Sequence, residues 1–152
     1  MRILVCSDSH HRADLLALAY DQQPRAEALV FLGDGMADTG LFRSSGKPHY
    51  LVSGNCDASD EAPSRLLFTL AKKKIFITHG HEFSVKFSLD ELLHHAKLLK
   101  ANIVLYGHTH MPKHNYVDGI HLFNPGAIKK GCYGFVDITS AGIVCQHLNV
   151  RR

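Results

Sequence analysis

Ile3-Leu4-Val5-Cys6-Ser7-Asp8-Ser9-His10 joins a short apolar run to a loop that carries a carboxylate and an imidazole. The pairing recurs along the chain. Leu29-Val30-Phe31-Leu32 leads into Gly33-Asp34, and Tyr50-Leu51-Val52 into Ser53-Gly54-Asn55-Cys56-Asp57. Ile75-Phe76-Ile77-Thr78 precedes His79-Gly80-His81, and Ile103-Val104-Leu105-Tyr106 precedes Gly107-His108-Thr109-His110. Apolar runs this short suit buried strands, and open α/β sheets bind ligands in the crevice outside the carboxyl ends of such strands. Together the loops hold enough Asp, Asn and His side chains for two metal ions.

Outward from these runs, Arg12 to Gln23 carries Leu15, Leu16, Leu18 and Ala19 at near-helical spacing, and Pro24 closes it. A second helix is predicted from Ser88 to Lys100, with Ser88 as N-cap, Glu91 as its capping-box partner, and Leu89, Leu92, Leu93, Ala96 and Leu99 as the buried stripe. A short helix is predicted around Met36 to Ser45, weakened by Gly40 and Gly46. Beyond Lys113 the runs are divided by Asp118-Gly119, Asn124-Pro125-Gly126 and Ala141-Gly142, which predicts hairpins and an antiparallel C-terminal third. Alternating strands and helices followed by consecutive strands imply two packed sheets with helices outside.

The 152 residues correspond to one domain, large enough to bury roughly 70% of the unfolded surface. Hydrophobic content of 45% and charged content of 20% exclude disorder. A net charge of +3, scattered over Lys72-Lys73-Lys74, Arg151-Arg152 and elsewhere, gives no basis for dedicated nucleic-acid binding, and Lys72-Lys73-Lys74 itself reads as a solvated hairpin turn between two strands. No apolar stretch is long enough for a signal-peptide core or a bilayer span, so a cytoplasmic protein without membrane contact is expected. Cys6, Cys56, Cys132 and Cys145 make no CxxC pair. Three of them read as small hydrophobes in strands, whereas Cys56 lies in a ligand loop.

Asp8 and His10 are two apart on a strand extension, as are His108 and His110, so each pair can reach one ion. Mixed oxygen and imidazole donors favour first-row divalent metals over calcium, and no thiolate set supports a structural zinc. Two carboxylates, Asp8 and Asp34, facing two dications leave a net positive centre that attracts phosphate. Two metals about 3.5–4 Å apart hold a bridging hydroxide near neutral pH and clamp the oxygens of an in-line displacement. The chemistry expected is phosphoester hydrolysis.

In combination, Asp8-x-His10, Gly33-Asp34, Gly54-Asn55-Cys56-Asp57, His79-Gly80-His81 and Gly107-His108-Thr109-His110 resemble the calcineurin-like metallophosphoesterases, and among these the small YfcE-type phosphodiesterases. The resemblance implies an α/β four-layer sandwich of two mixed sheets flanked by helices. It implies a first metal on Asp8, His10, Asp34 and His110, with Asp34 bridging to a second completed by Asn55, His79 and His108. Asn55, His79 and His108 would then be the catalytic residues, and Asn55 would also touch the phosphate of a small phosphoester substrate. Manganese is the foremost metal implied, with nickel, cobalt, zinc, iron or magnesium as alternatives. A homo-oligomer is compatible with the family.

Many members of the larger family carry a histidine at the place of Cys56, where it protonates the leaving oxygen or contacts phosphate. A thiol near 8.5 is a poorer general acid than an imidazole near 6.5, so slow turnover or undemanding leaving groups are expected. His81, close in sequence to His79, is a further candidate for substrate contact, while His11, in place of an expected Gly, reads as solvent-facing. Asp38 reads as a solvated carboxylate, and Asp57 as orienting the Asn55 loop or capping a turn. His94 and His95 point about 100° apart on their helix and share no ion. His49, His114, His121 and His147 read as scattered surface or edge residues. Phe83, Phe87 and Met111 flank the ligand loops, with core packing their expected fate. Two other readings compete with a phosphodiesterase: a phosphomonoesterase or nucleotide phosphatase, and a phosphoesterase-like scaffold of the kind found in the retromer coat, which has lost some site residues.

Overall fold

The computed structural model describes residues 1–152. The strands are β1 (Arg2–Cys6), β2 (Ala28–Phe31), β3 (His49–Leu51), β4 (Arg65–Leu70), β5 (Lys73–Thr78), β6 (Ile103–Leu105), β7 (Lys113–Val117), β8 (Ile120–Asn124), β9 (Cys132–Thr139) and β10 (Gly142–Asn149). The helices are α1 (Ala13–Asp21), α2 (Gly40–Ser44) and α3 (Asp90–Leu99). One sheet runs β10-β9-β1-β2-β3 and the other β4-β5-β6-β8-β7. Both are mixed: β1, β2 and β3 pair in parallel, as do β5, β6 and β8, and the remaining pairings are antiparallel.

Successive residues of the central strands point to opposite faces, and this alternation builds the layers. Ile3, Val5 and Val30 of one sheet meet Ile75, Ile77, Ile103 and Leu105 of the other between the sheets. Leu4, Leu29 and Phe31 face outward onto Leu15, Leu16 and Ala19 of α1. Phe76, Val104 and Leu122 face the opposite way onto Leu92 and Ala96 of α3. The result is the helix, sheet, sheet, helix sandwich that the resemblance implies, with no helix long and apolar enough to cross a membrane.

Several local expectations need correction. Helix α3 starts at Asp90, and Ser88 Oγ accepts the Asp90 N–H at 3.0 Å; Leu89 holds the N-cap position with no side-chain cap, so the capping box does not form. The antiparallel C-terminal third is divided: β9 and β10 extend the first sheet, whereas β8 joins β6 in parallel and carries β7 with it. Ala71 and Lys72, both at positive φ, form the two-residue hairpin turn, and Lys73 and Lys74 already belong to β5. Two of the histidines read as scattered are not: β7, β8 and β10 bring His114, His121 and Cys145 together.

Candidate metal centre

The five ligand loops leave β1, β2, β3, β5 and β6, and they converge. Donor atoms of Asp8, His10 and His110 lie within 4.8 Å of one another, as do those of Asp34, His79 and His108. Turning sharply at the strand ends requires unusual backbone: Asp8, His10, Asp34, His108 and His110 all have φ between 42° and 70°. For residues with a Cβ this left-handed conformation is costly and clusters at functional sites.

Each carboxylate has one oxygen tied and one presented to the centre. Asp8 Oδ2 accepts hydrogen bonds from Ser7 Oγ and, at 3.2 Å, from the His108 N–H. Asp8 Oδ1 is buried with no partner, as is His10 Nε2. Around Asp8 Oδ1 stand His110 Nε2 at 3.1 Å, His10 Nε2 at 3.7 Å and His79 Nε2 at 3.9 Å. Asp34 Oδ1 accepts the Cys56 N–H at 2.8 Å, while Oδ2 lies 3.2 Å from His79 Nε2 and 3.8 Å from His10 Nε2. One oxygen of Asp34 thus stands between a histidine of each triad. Buried polar atoms without partners are rare in folded proteins, and a bound cation would satisfy these.

The imidazoles are oriented from behind. His79 Nδ1 donates to the Leu32 carbonyl at 2.7 Å, which leaves the Nε2 lone pair for an ion and places it 3.2 Å from His108 Nδ1. Burial alone would lower the His79 pKa, but Asp34 and Asp8 outweigh it and the net shift is upward. His108 is pushed down to about 4 by burial and by the neighbouring His79, and burial also lowers His110. Burial opposes ionisation of Asp34, yet its contacts with His79 and Cys56 hold it well below the usual carboxylate range. Anionic oxygens beside the neutral imidazoles of His108 and His110 suit divalent ions.

Three residues contribute more than their sequence reading suggests. Asp57 accepts N–H groups from Asp34 at 2.7 Å and Gly54 at 2.8 Å on one oxygen, and from Gly35 at 2.9 Å and Met36 at 3.0 Å on the other. It clips the loop after β2 to the loop after β3. The same close approach explains Gly54, where a Cβ would stand 2.1 Å from Asp34 Oδ1. Asp38 is no solvated carboxylate: it accepts hydrogen bonds from Ser9 Oγ and from the His11 N–H at 3.0 Å, bracing the loop that carries His10. Asn124, read only as part of a turn, donates to Gly107 O and Thr109 Oγ1, each at 3.0 Å, and so buttresses the His108 loop. A polar residue closing the apolar strand β8 was the available signal.

The residues expected to face substrate line the approaches. A groove on one side is lined by His10, His11, Asp34, Cys56 and Asp57, with His11 exposed as expected. Asn55 and His81 line a groove on another side. Asn55 is exposed and its amide nitrogen meets Cys56 Sγ at 3.5 Å. The His81 ring is 5.5 Å from that of His79, and its Nδ1 is buried without a partner. Cys56 has its thiol pKa raised, first by burial and then by Asp34. Phe83 packs in the core, whereas Phe87 and Met111 are exposed.

Residues 1–141 match the model of the calcineurin-like phosphoesterase superfamily domain. A Bacillus subtilis (strain 168) protein named probable metallophosphoesterase YsnB is 30% identical over 130 residues, covering 85% of this chain and 76% of its own. Phosphodiesterase YfcE of Escherichia coli (strain K12) is 34% identical over 101 residues, covering 57% of this chain and 50% of its own. The crystal structure of a Streptococcus pneumoniae TIGR4 protein, described as a predicted phosphoesterase, superposes with a TM-score of 0.85 at 30% identity, covering 97% of this chain and 88% of that one.

Proposed function

Since the chain belongs to the calcineurin-like phosphoesterase superfamily, we propose that it is a metal-dependent phosphodiesterase acting on small phosphoesters through a binuclear centre. The observation that carries this reading is the placing of Asp34 Oδ2 between His10 and His79, beside the unpartnered Asp8 Oδ1. Asp8, His10, Asp34 and His110 would hold one ion, and Asp34, Asn55, His79 and His108 the other. Two such ions, when bound, supply an activated water as nucleophile and positive charge for the phosphate oxygens.

The protein's own groups do the rest. Leu32 O fixes the ring of His79, and the N–H of His108 fixes Asp8, so both donors are held without reorganisation. Asn55 and His81 on one side and Cys56 on the other contact the phosphate and its ester groups. Cys56, with its proton held tightly, is a weak acid toward the leaving oxygen, which favours diesters with good leaving groups.

Elemental analysis combined with turnover of nitrophenyl mono- and diesters across added manganese, nickel, cobalt, zinc and magnesium tests the proposal. Two ions per chain and a preference for the diester are expected; a preference for the monoester would make it a phosphomonoesterase. Asp34→Asn should lower occupancy of both ions and reduce turnover by about 100-fold or more. Two tightly held ions in that variant would remove the bridging role.

A further inference from the structure

The sandwich has two open sides, and they are closed by different chemistry. Where β3 lies over β4, the rings of Tyr50 and Phe68 stack at 3.7 Å with an interplanar angle of 7°. On the opposite side the edge strands are β10 of one sheet and β7 of the other. There the space between the sheets receives His114 from β7, His121 from β8 and Cys145 from β10.

Register puts these side chains on one face. His114 pairs with Phe123, a residue of the core between the sheets, and Tyr116 pairs with His121, so all four share that face. Cys145 pairs with Val136, also of that core, and packs against it. His114 Nε2 and His121 Nδ1 are 3.0 Å apart, and one ring nitrogen of each histidine lies within 4.8 Å of Cys145 Sγ. Two nitrogens about 2.0 Å from one tetrahedral ion stand roughly 3.3 Å apart, so the pair needs little adjustment to share a metal. The Tyr116 ring backs His121 at 4.5 Å. His147, stacked on Phe123 at 4.5 Å, has its Nε2 engaged by the Asn124 carbonyl at 2.8 Å and stands outside the set.

We propose that His114, His121 and Cys145 form a zinc site separate from the phosphoesterase centre, with its fourth position open to solvent. Two imidazoles and one thiolate are a borderline-soft donor set that selects zinc over manganese or magnesium. Burial first, and a neighbouring imidazole second, hold both histidines below their usual range, so they offer lone pairs at neutral pH. On binding, the ring that donates in the His114–His121 hydrogen bond moves that proton to its other nitrogen, and Cys145, whose thiol burial pushes up to about 12, releases its proton to solvent only as the sulfur–metal bond forms. Because His114 is exposed, an ion has an entry path, and once bound it clasps the two sheets at their open edge.

Cobalt(II), later displaced by zinc(II), reports on thiolate ligation through a charge-transfer band in the near ultraviolet. The phosphoesterase centre offers oxygen and imidazole donors, except that the Cys56 sulfur lies within 4.8 Å of donors on His10 and Asp34. Metal-stripped full-length protein titrated with cobalt should develop the band in the wild type and in Cys56→Ser, and should lack it in Cys145→Ser. His114→Gln, at an exposed edge position, should weaken that binding by at least the roughly 10–100-fold typical of losing a ligand's supporting hydrogen bond. If Cys145→Ser fails to fold, this second variant decides. No band in the wild type, a band that survives Cys145→Ser or vanishes in Cys56→Ser, or unchanged affinity in His114→Gln would overturn the site.

Discussion

In the proposed mechanism Cys56 occupies the position from which a stronger acid would assist the leaving group, and its surroundings make the thiol weaker still. Burial and the adjacent Asp34 raise its pKa above the ordinary thiol value. Its backbone, in contrast, is committed to the centre, because its N–H donates to Asp34 Oδ1 at 2.8 Å. The side chain is therefore free to change while the loop stays in place. Cys56→His should raise turnover of a diester with a poor leaving group by about 10-fold or more, the lower range of general-acid contributions, and leave an activated nitrophenyl ester little affected. Rates on the two esters at equal metal content check this, and an unchanged or lower rate on the poor leaving group would count against the assignment.

At the scale of elements, β1 is held to β9 by a cross-strand pair as well as by its ladder. Arg2 and Asp137 are register partners, and the guanidinium donates to both carboxylate oxygens, at 2.8 Å and 2.7 Å. The Arg2 guanidinium also lies over the Phe135 ring at 3.8 Å. The Arg2 hydrogen bond, opposed in part by burial, lowers the pKa of Asp137 from 3.8. A depressed carboxylate stabilises the fold above its unfolded value and loses that contribution as pH falls through its folded value. Asp137→Asn should therefore cost about 1 kcal/mol at neutral pH, and the difference should vanish in acid below the folded value. Urea unfolding midpoints at both pH values test this; a difference independent of pH would mean that packing dominates. The same scale shows what the sequence discloses. The strands leading to the ligand loops are legible because each is a short apolar run that ends in Asp, Asn or His, and every one of those runs is a strand. The parallel joining of β8 to β6 is not legible, since it depends on which sheet accepts a hairpin. For the same reason, nothing in the spacing of His114, His121 and Cys145 announces their meeting. The clip formed by Asp57 is half legible: its place beside Asn55 suggests a role in the loop, but its reach to the backbone of Asp34, Gly35 and Met36 requires the third dimension.

For the whole molecule, the proposed centre is a local cost that bound metal would offset. Five of the proposed ligand residues take left-handed backbone, and Asp8 Oδ1 and His10 Nε2 are buried without partners. Strain of this kind costs on the order of 1 kcal/mol per residue, and unsatisfied buried groups add to it. An ion that binds only the folded chain returns stability by mass action, about 2.7 kcal/mol at a hundredfold excess over its dissociation constant. In a domain of this size that corresponds to a rise in melting temperature of roughly 5–11 °C. Manganese is the suitable probe, because it favours oxygen and imidazole donors and has little preference for the thiolate of Cys145. Stripping the protein with a chelator and adding manganese back should move the melting temperature down and up by this amount. In Asp34→Asn the response should shrink to a small fraction, because the proposed bridging ligand would serve both ions. Equal manganese-induced shifts in the wild type and in Asp34→Asn would show that the stabilising ion binds elsewhere, and the strained loops around Asp8 and Asp34 would then need another explanation.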